Sequence, residues 1–228
     1  MLVQIYTAQS PEEAEALAEL GVDHVGVTIS DRGLPGEVGL DTGKAIIERL
    51  QGRAKSVALT VETDMVAIQA FVAAVRPDIL HLCGDTVAFP PAAVADLRAW
   101  LRRRRIPSEL MQAIPMTGPE AVGEARRFAH HVDWLILDSV TDEVEGIGAA
   151  GRTHDWTISR AIVEQSEVPV ILAGGLGPDN VAEAIAAVRP AGVDSLTRTN
   201  RPLPEGGFEK DLDAVARFVD EARRAVEN

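Results

Sequence analysis

The chain has 228 residues, of which 46% are hydrophobic and 25% charged, and its formal net charge at pH 7 is −13. This balance is typical of a globular protein with one substantial core, and the negative charge argues against a nucleic-acid partner, whose phosphates require a basic surface. No run approaches the roughly 20 consecutive apolar residues that span a bilayer, so we expect no membrane partner. The start, "MLVQIYTAQS", lacks the features of a signal peptide, and the single cysteine, Cys83, cannot form an internal disulfide; both predict a cytoplasmic protein.

Short β-rich runs alternate with amphipathic runs along the whole chain. In the first amphipathic run, Ser10 is the predicted N-cap, Pro11 takes the first helical position and Gly21 ends the helix. The predicted strands are 2–6, 24–29, 55–60, 78–82, 109–114, 133–138, 168–173 and 192–197. The amphipathic runs that follow them cover 10–21, 41–51, 64–75, 91–103, 118–131, 157–165, 177–188 and 211–226.

Eight strand–helix units in about 200 to 250 residues are typical of a closed (β/α)8 barrel. The predicted strands are apolar on both faces, as buried parallel strands should be. An open doubly wound sheet usually has fewer strands. We therefore predict α/β architecture with a single TIM-barrel domain over residues 1–228, and we interpret the basic run "RRRR" (102–105) as the solvated end of a helix.

In such a barrel the active site lies where the strands end and the loops to the helices begin. Side chains alternate along a strand. If Leu80 and Leu82 face the helices, His81 and Cys83 point into the barrel. The same parity points Gln4, Tyr6 and Asp138 inward.

Two loops predict an anion site. In "AGGLGPDN" (173–180), Gly174 and Gly175 allow backbone N–H groups to approach an anion, and Pro178 is predicted to open the next helix. In "LTRTN", Thr197 and Arg198 add phosphate donors. The loops after strands 7 and 8 frequently bind phosphate in this fold. The alternative is a tight turn without a ligand.

Two further residues are candidates with simpler alternatives. An inward carboxyl at a strand end, such as Asp138, is costly unless it has a function or an ion-pair partner. Arg32, in "SDRGLPG", either clamps a carboxylate or is an ordinary loop arginine.

We expect neither a metal nor a cofactor. The three lysines, Lys44, Lys55 and Lys210, end no predicted strand, so an amine for Schiff-base chemistry is lacking. His81, Cys83 and Asp138 could together hold a cation, but the chain has no HxH or HExxH spacing.

With these residues identified, the chain resembles the phosphoribosylanthranilate isomerase family over nearly its whole length. "DWLILDS", "GIGAAGRTHDW", "PVILAGGLGPDNVAEAIAAVRPAGVD" and "HLCGD" are similar to the family's "LLDS", "GGTG-x-x-x-DW", "LAGGL-x-P-x-NV … P-x-GVD" and "QLHGDE". Ser30-x-Arg32 is similar to the family's S-x-R, whose arginine holds the anthranilate carboxylate. The resemblance implies a cofactor-free Amadori rearrangement of an aminoaldose to an aminoketose, in the tryptophan pathway.

The resemblance also implies an acid and a base. Asp138 matches the strand-6 aspartate that protonates the ring oxygen, but the family's basic cysteine in "K-x-CG" is Tyr6 here, and Gln4 stands at its lysine. On strand 4, Cys83 and His81 replace the family's histidine and glutamine. The phosphate loops differ as well: a glycine–threonine pair is Ala149–Ala150, and "SSG" is Leu196–Thr197–Arg198.

Three functions remain open at this point. The first is the family's isomerase with an altered base, where Cys83 or His81 accepts the proton and Tyr6 donates a hydrogen bond; Cys83 is alternatively a lining residue only. The second is a related barrel enzyme with a different reaction or substrate, and the third a non-catalytic barrel. For the first two we expect a small phosphorylated sugar-type substrate, bound by a monomer or a homodimer, since family members occur as both.

Overall fold

A computed structural model of the protein describes residues 1–140, 146–148, 151 and 153–226. Eight parallel strands close into a barrel in chain order, with β1 hydrogen-bonded to both β2 and β8. The prediction of a (β/α)8 barrel is confirmed. The strands are β1 Leu2–Ile5, β2 His24–Thr28, β3 Lys55–Thr60, β4 Ile79–Leu82, β5 Glu109–Pro115, β6 Trp134–Asp138, β7 Val170–Leu172 and β8 Gly192–Ser195.

A helix follows each strand, and most begin and end within a few residues of the prediction. The helices are α1 Pro11–Glu19, α2 Leu40–Leu50, α3 Met65–Val75, α4 Pro91–Arg104, α5 Ala121–Ala129, α6 Trp156–Gln165, α7 Val181–Val188 and α8 Leu212–Arg224. Ser10 caps α1 as predicted, since its Oγ accepts a hydrogen bond from the Glu13 N–H. The run 102–105 is an exposed helix end, also as predicted.

Two boundaries are predicted wrongly, the start of α7 and the end of β8. Pro178 does not open α7, because the Asn180 side chain closes a turn first, accepting a hydrogen bond from the Gly177 N–H and donating one to the Gly175 carbonyl. Strand β8 stops at Ser195, whose hydroxyl donates to the Leu176 carbonyl. Residues Thr197–Thr199 then form a 3₁₀ turn.

An antiparallel hairpin between β8 and α8 was not predicted. It consists of β9 (Asn200–Pro202) and β10 (Phe208–Lys210). Strands of three residues are too short to show a hydrophobic period. Lys210 ends β10 and is buried, so the expectation that no lysine ends a strand is wrong for this hairpin, although not for the barrel.

Apolar side chains form two layers, one between the sheet and the helices and one inside the barrel. Leu80 and Leu82 belong to the outer layer, and Ile79 and Cys83 to the inner one. The alternation predicted for β4 is therefore confirmed, and it directs every second strand residue into the barrel. Among the described helices, none is long and apolar enough to cross a membrane.

The barrel interior also holds a buried polar chain. Gln4 donates from Nε2 to the Asp194 carboxylate at 3.0 Å, and its Oε1 lies 3.2 Å from Nδ1 of His24. All three side chains are at most 6% exposed. A buried polar group must be hydrogen-bonded to avoid a desolvation cost, so Gln4 fixes the level at which the Asp194 carboxyl sits.

Glycine at position 26 makes room for the aromatic ring at the barrel mouth. A Cβ at Gly26 would lie 2.3 to 2.4 Å from carbon atoms of the Tyr6 ring. Tyr6 is 5% exposed and packs in the inner layer. The missing side chain on β2 thus lets the Tyr6 ring lie across that strand.

We expect Gly26→Ala to lower the free energy of unfolding by about 1–3 kcal/mol, because overpacking forces the Tyr6 ring or the strand to move. Gly123→Ala is the matched control: Gly123 lies in α5 with no atom within 4 Å of an added Cβ, so the change should stabilise by roughly 0.5–1 kcal/mol. Urea unfolding followed by circular dichroism measures both. Equal midpoints for Gly26→Ala and the wild-type protein would contradict the close packing of Tyr6 on β2.

Candidate active site

A cavity opens at the carboxyl ends of the strands, where the sequence predicted the site. About 570 Å³ of empty space lies at this mouth, part of which is open solvent. The four predicted catalytic residues, Tyr6, His81, Cys83 and Asp138, all line it. Its remaining lining residues are Thr28, Leu34, Pro35, Leu59, Val61, Ile136, Ile147, Gly148, Asp194 and Leu196.

Three of these residues form a hydrogen-bonded chain across the barrel. The Tyr6 hydroxyl lies 2.8 Å from His81 Nδ1, and His81 Nε2 lies 3.1 Å from Cys83 Sγ. Burial lowers the pKa of His81 to about 3. Burial, reinforced by nearby negative charges, raises the pKa values of Tyr6 and Cys83 well above their usual ranges. At neutral pH all three groups are uncharged, and both nitrogens of the imidazole are engaged.

The cavity also contains two carboxyls with perturbed acidity. Burial, and then the charge of Asp194, raise the pKa of Asp138 to about 8, although the Ser139 N–H donates to its Oδ1. Burial raises the pKa of Asp194 to about 7, although the Gln4 hydrogen bond and the Lys210 charge act in the opposite direction. Perturbed carboxyls of this kind cluster at functional sites.

Lys210 brings a cation from the hairpin to the back of the site. Its ammonium donates to the Tyr6 carbonyl and, at 2.5 Å, to Asn200 Oδ1. Burial lowers the pKa of Lys210 to about 7, partly offset by the charges of Glu13 and Asp194. Lys210 does not line the cavity. It therefore acts on the site through its charge and through the backbone of Tyr6.

A second, smaller cavity adjoins the first on the side of β7 and β8. Gly174 and Gly175, with φ values of 83° and 62°, line it together with Thr197, so three of the predicted anion-binding residues are brought together. Backbone in this left-handed region favours glycine. Asp138, Asp194 and Leu196 line both cavities. The remaining lining residues are Gly151, Leu176 and Ser195.

The structure does not bring the two predicted arginines into these cavities. Arg198 is exposed and lies against Gly177, where an added Cβ would be 2.7 Å from its side chain. Arg32 lines a neighbouring cavity, and its Nη1 donates to Glu62 Oε1 at 2.5 Å. Val61 lines both that cavity and the main one, so Arg32 stands at the rim.

Ala149 and Ala150, the predicted departures in the phosphate loop, lie outside the described residues. Within the described ranges, no three His, Cys, Asp or Glu side chains converge as metal ligands.

Sequence reasoning missed Asp194 and Lys210 as site residues. Asp194 is a charged residue inside the apolar run of β8, which is itself a signal, because an acid on a buried strand requires partners. Its register with Gln4 of β1 fixes it on the inward face. Lys210 gave no such signal, because its burial depends on a hairpin that folds over the end of β1.

Comparison with known proteins agrees with this architecture. A family model described as "N-(5'phosphoribosyl)anthranilate (PRA) isomerase" matches residues 3–197. An N-(5'-phosphoribosyl)anthranilate isomerase of Afipia carboxidovorans is 32% identical over 226 residues, which cover 99% of this chain and 90% of that protein.

Solved structures show the same fold. Phosphoribosyl anthranilate isomerase from Thermotoga maritima is similar with a TM-score of 0.78 and 23% identity, covering 98% of this chain and 99% of that one. A phosphoribosyl anthranilate isomerase in complex with reduced 1-(o-carboxyphenylamino)-1-deoxyribulose 5-phosphate gives a TM-score of 0.76 and 20% identity, with the same coverage. Because the family model and the Afipia relative both match most of its length, the chain belongs to the N-(5'-phosphoribosyl)anthranilate isomerase family.

Proposed function

We propose that this protein isomerises N-(5'-phosphoribosyl)anthranilate to the corresponding 1-amino-1-deoxyribulose 5-phosphate, without a cofactor, in tryptophan biosynthesis. The observation that carries the proposal is Asp138, a carboxyl at the end of β6 whose pKa is raised to about 8 beside two connected cavities. The relatives' names support this substrate. The roles of substrate binding and proton transfer are assigned below to residues of this chain.

The two cavities suit the two ends of the substrate. Gly174 and Gly175 line the smaller cavity with backbone that no side chain covers, which allows an anion to approach closely, so we assign this cavity the 5'-phosphate. The larger cavity has an apolar lining that includes Leu34, Leu59 and Ile136, which suits the anthranilate ring. The ribose then lies between them, beside Asp138.

Asp138 is suited to open the ribose ring. At neutral pH most of this carboxyl carries its proton, because its pKa lies near 8. A carboxylic acid kept neutral in this way can protonate a leaving oxygen. Its Oδ2 faces Gly148, where an added Cβ would lie 2.7 Å away. Gly148 thus packs directly against the acid, where a side chain would not fit.

The catalytic roles of the other predicted residues differ in how well the structure supports them. Tyr6 occupies the place of the family's basic cysteine, and its neutral hydroxyl bonds to His81, so it positions that imidazole. Neither His81 nor Cys83 is well suited to accept a proton, because His81 has a pKa near 3 and Cys83 remains a thiol.

We expect Asp138→Asn to lower kcat by at least about 100-fold, because general acid catalysis contributes about 10² to 10⁴. In the unaltered protein, activity should fall as pH rises through about 8, since the acid then loses its proton. Fluorescence of the anthranilate substrate measures turnover. Asp179→Asn is the matched control, because Asp179 is exposed and lines none of the described cavities of the mouth.

Wild-type activity that survives in Asp138→Asn would remove Asp138 as the acid. A folded wild-type protein that binds the product analogue but does not turn over the substrate would favour the second hypothesis, a related enzyme with another phosphosugar. The replacement of the strand-1 cysteine by Tyr6 is the observation that would then account for the change.

We propose that Arg32 binds the carboxylate of the substrate. The substrate carboxylate then replaces the Glu62 carboxylate as the ion-pair partner of Arg32. We expect Arg32→Ala to raise KM by about 10- to 100-fold with little change in kcat, which corresponds to one charge-assisted hydrogen bond of about 1.5–3 kcal/mol. Glu62→Gln should lower KM, because it removes the carboxylate that competes for the arginine. Steady-state kinetics distinguish these cases, and an unchanged KM in Arg32→Ala would exclude Arg32 from binding.

A further inference from the structure

The overlap of the two cavities fixes where the sugar lies. The phosphate is attached at one end of the ribose and the anthranilate nitrogen at the other. If each group occupies its cavity, the sugar carbons pass the residues that the cavities share. These are Asp138, Asp194 and Leu196. Within the part of the chain that the structure describes, two of the three shared residues are therefore carboxylic acids.

An isomerisation of this type needs an acid and a separate base. Leu196 can serve as neither, and Asp138 is already assigned as the acid. We infer that Asp194 is the base that removes the proton from C2 of the sugar. In the phosphoribosylanthranilate isomerase family, a cysteine at the end of strand 1 has this role. This inference rests on the proposed function.

The alternative bases are not among the residues that the two cavities share, and they are hydrogen-bonded to one another. Cys83 and His81 line only the larger cavity. Both ring nitrogens of His81 are occupied, one by the Tyr6 hydroxyl and one by Cys83 Sγ. A proton taken directly by His81 would have to displace one of these contacts. Asp194 has no such constraint, because its described hydrogen bond engages only Oδ1.

The surroundings of Asp194 suit a base at neutral pH. Gln4 faces it from β1, Asp138 from β6 and Lys210 from β10, while Tyr6 and Cys83 face it from the residues that directly follow β1 and β4. Of these groups, only Lys210 is a cation. The resembled pattern has a lysine where Gln4 stands, and a neutral amide holds a carboxylate less strongly in its charged form. Burial raises the Asp194 pKa to about 7, and the Gln4 hydrogen bond and the Lys210 charge limit that rise, so part of this carboxyl is ionised at neutral pH and can accept a proton.

The resulting steps balance without an outside reactant. Asp138 gives its proton to the ring oxygen as the C1–O bond breaks, and the nitrogen lone pair forms a C=N bond. Asp194 takes the C2 proton, the C–H electron pair forms C1=C2, and the C=N π pair returns to nitrogen. The enol proton then passes to Asp138, and Asp194 returns its proton to C1. C2 is thereby oxidised and C1 reduced, and both carboxyls regain their starting states.

The test compares kcat/KM as a function of pH in the wild-type protein and in Asp194→Asn, Asp194→Glu and Cys83→Ser. In the wild-type protein, activity should rise with pH as Asp194 loses its proton near 7, and fall as Asp138 loses its proton near 8. We expect Asp194→Asn to lose at least about 100-fold in kcat. Its rising limb should vanish, and its falling limb should move to lower pH because a negative neighbour is gone.

Binding of the reduced product analogue separates loss of chemistry from loss of structure. We expect Asp194→Asn to bind it within about threefold of the wild-type protein, an effect well under the tenfold that 1.4 kcal/mol represents. If Asp194→Asn fails to fold, Asp194→Glu decides, since a retained carboxylate must preserve the rising limb. A rising limb that persists in Asp194→Asn, or that disappears in Cys83→Ser, would overturn the inference. Absence of turnover in the folded wild-type protein would instead overturn the proposed function.

Discussion

Two carboxyls at one mouth of the barrel form the constraint on which the site depends. Asp138 and Asp194 lie on different strands, Asp194 buried and Asp138 half-buried, and their removal from bulk water disfavours their charged forms. Two like charges in a low-dielectric site also oppose each other, and ionising one makes the other harder to ionise. The pKa of Asp138 is therefore raised further by the charge of Asp194, and the proposed roles of acid and base rest on this coupling.

The rest of the mouth sets how strongly each carboxyl holds its proton. Gln4 donates to Asp194, and Lys210 places a cation behind it, while among the described residues the Ser139 N–H donates to Asp138. These contacts lower the pKa values that burial raises, through Gln4 and Lys210 for Asp194 and through the Ser139 N–H for Asp138. Lys210 belongs to a hairpin that lies after β8, so a segment outside the barrel contributes to the electrostatics inside it.

The chain also shows how a barrel tolerates an exchange of residues at its active site. A tyrosine at the end of β1 requires space, and Gly26 on the neighbouring strand provides it. The hydroxyl of Tyr6 then meets His81, which meets Cys83, so three residues that depart from the resembled pattern contact one another. Substitutions that satisfy each other's hydrogen bonds stabilise the site as a group, because none leaves a buried polar atom without a partner.

The sequence by itself determined the barrel, since the alternation of apolar runs and amphipathic runs is a local property that repeats eight times. It also determined that Tyr6, His81, Cys83 and Asp138 point inward, because side chains alternate along a strand. Only the tertiary structure decided that Arg32 and Arg198 stay outside the two cavities, that α7 begins at Val181, and that Asp194 and Lys210 belong to the site. These outcomes depend on strand register, on how loops close and on which side chains become buried. All three are set by contacts between residues far apart in the chain, so the spacing of neighbouring residues does not reveal them.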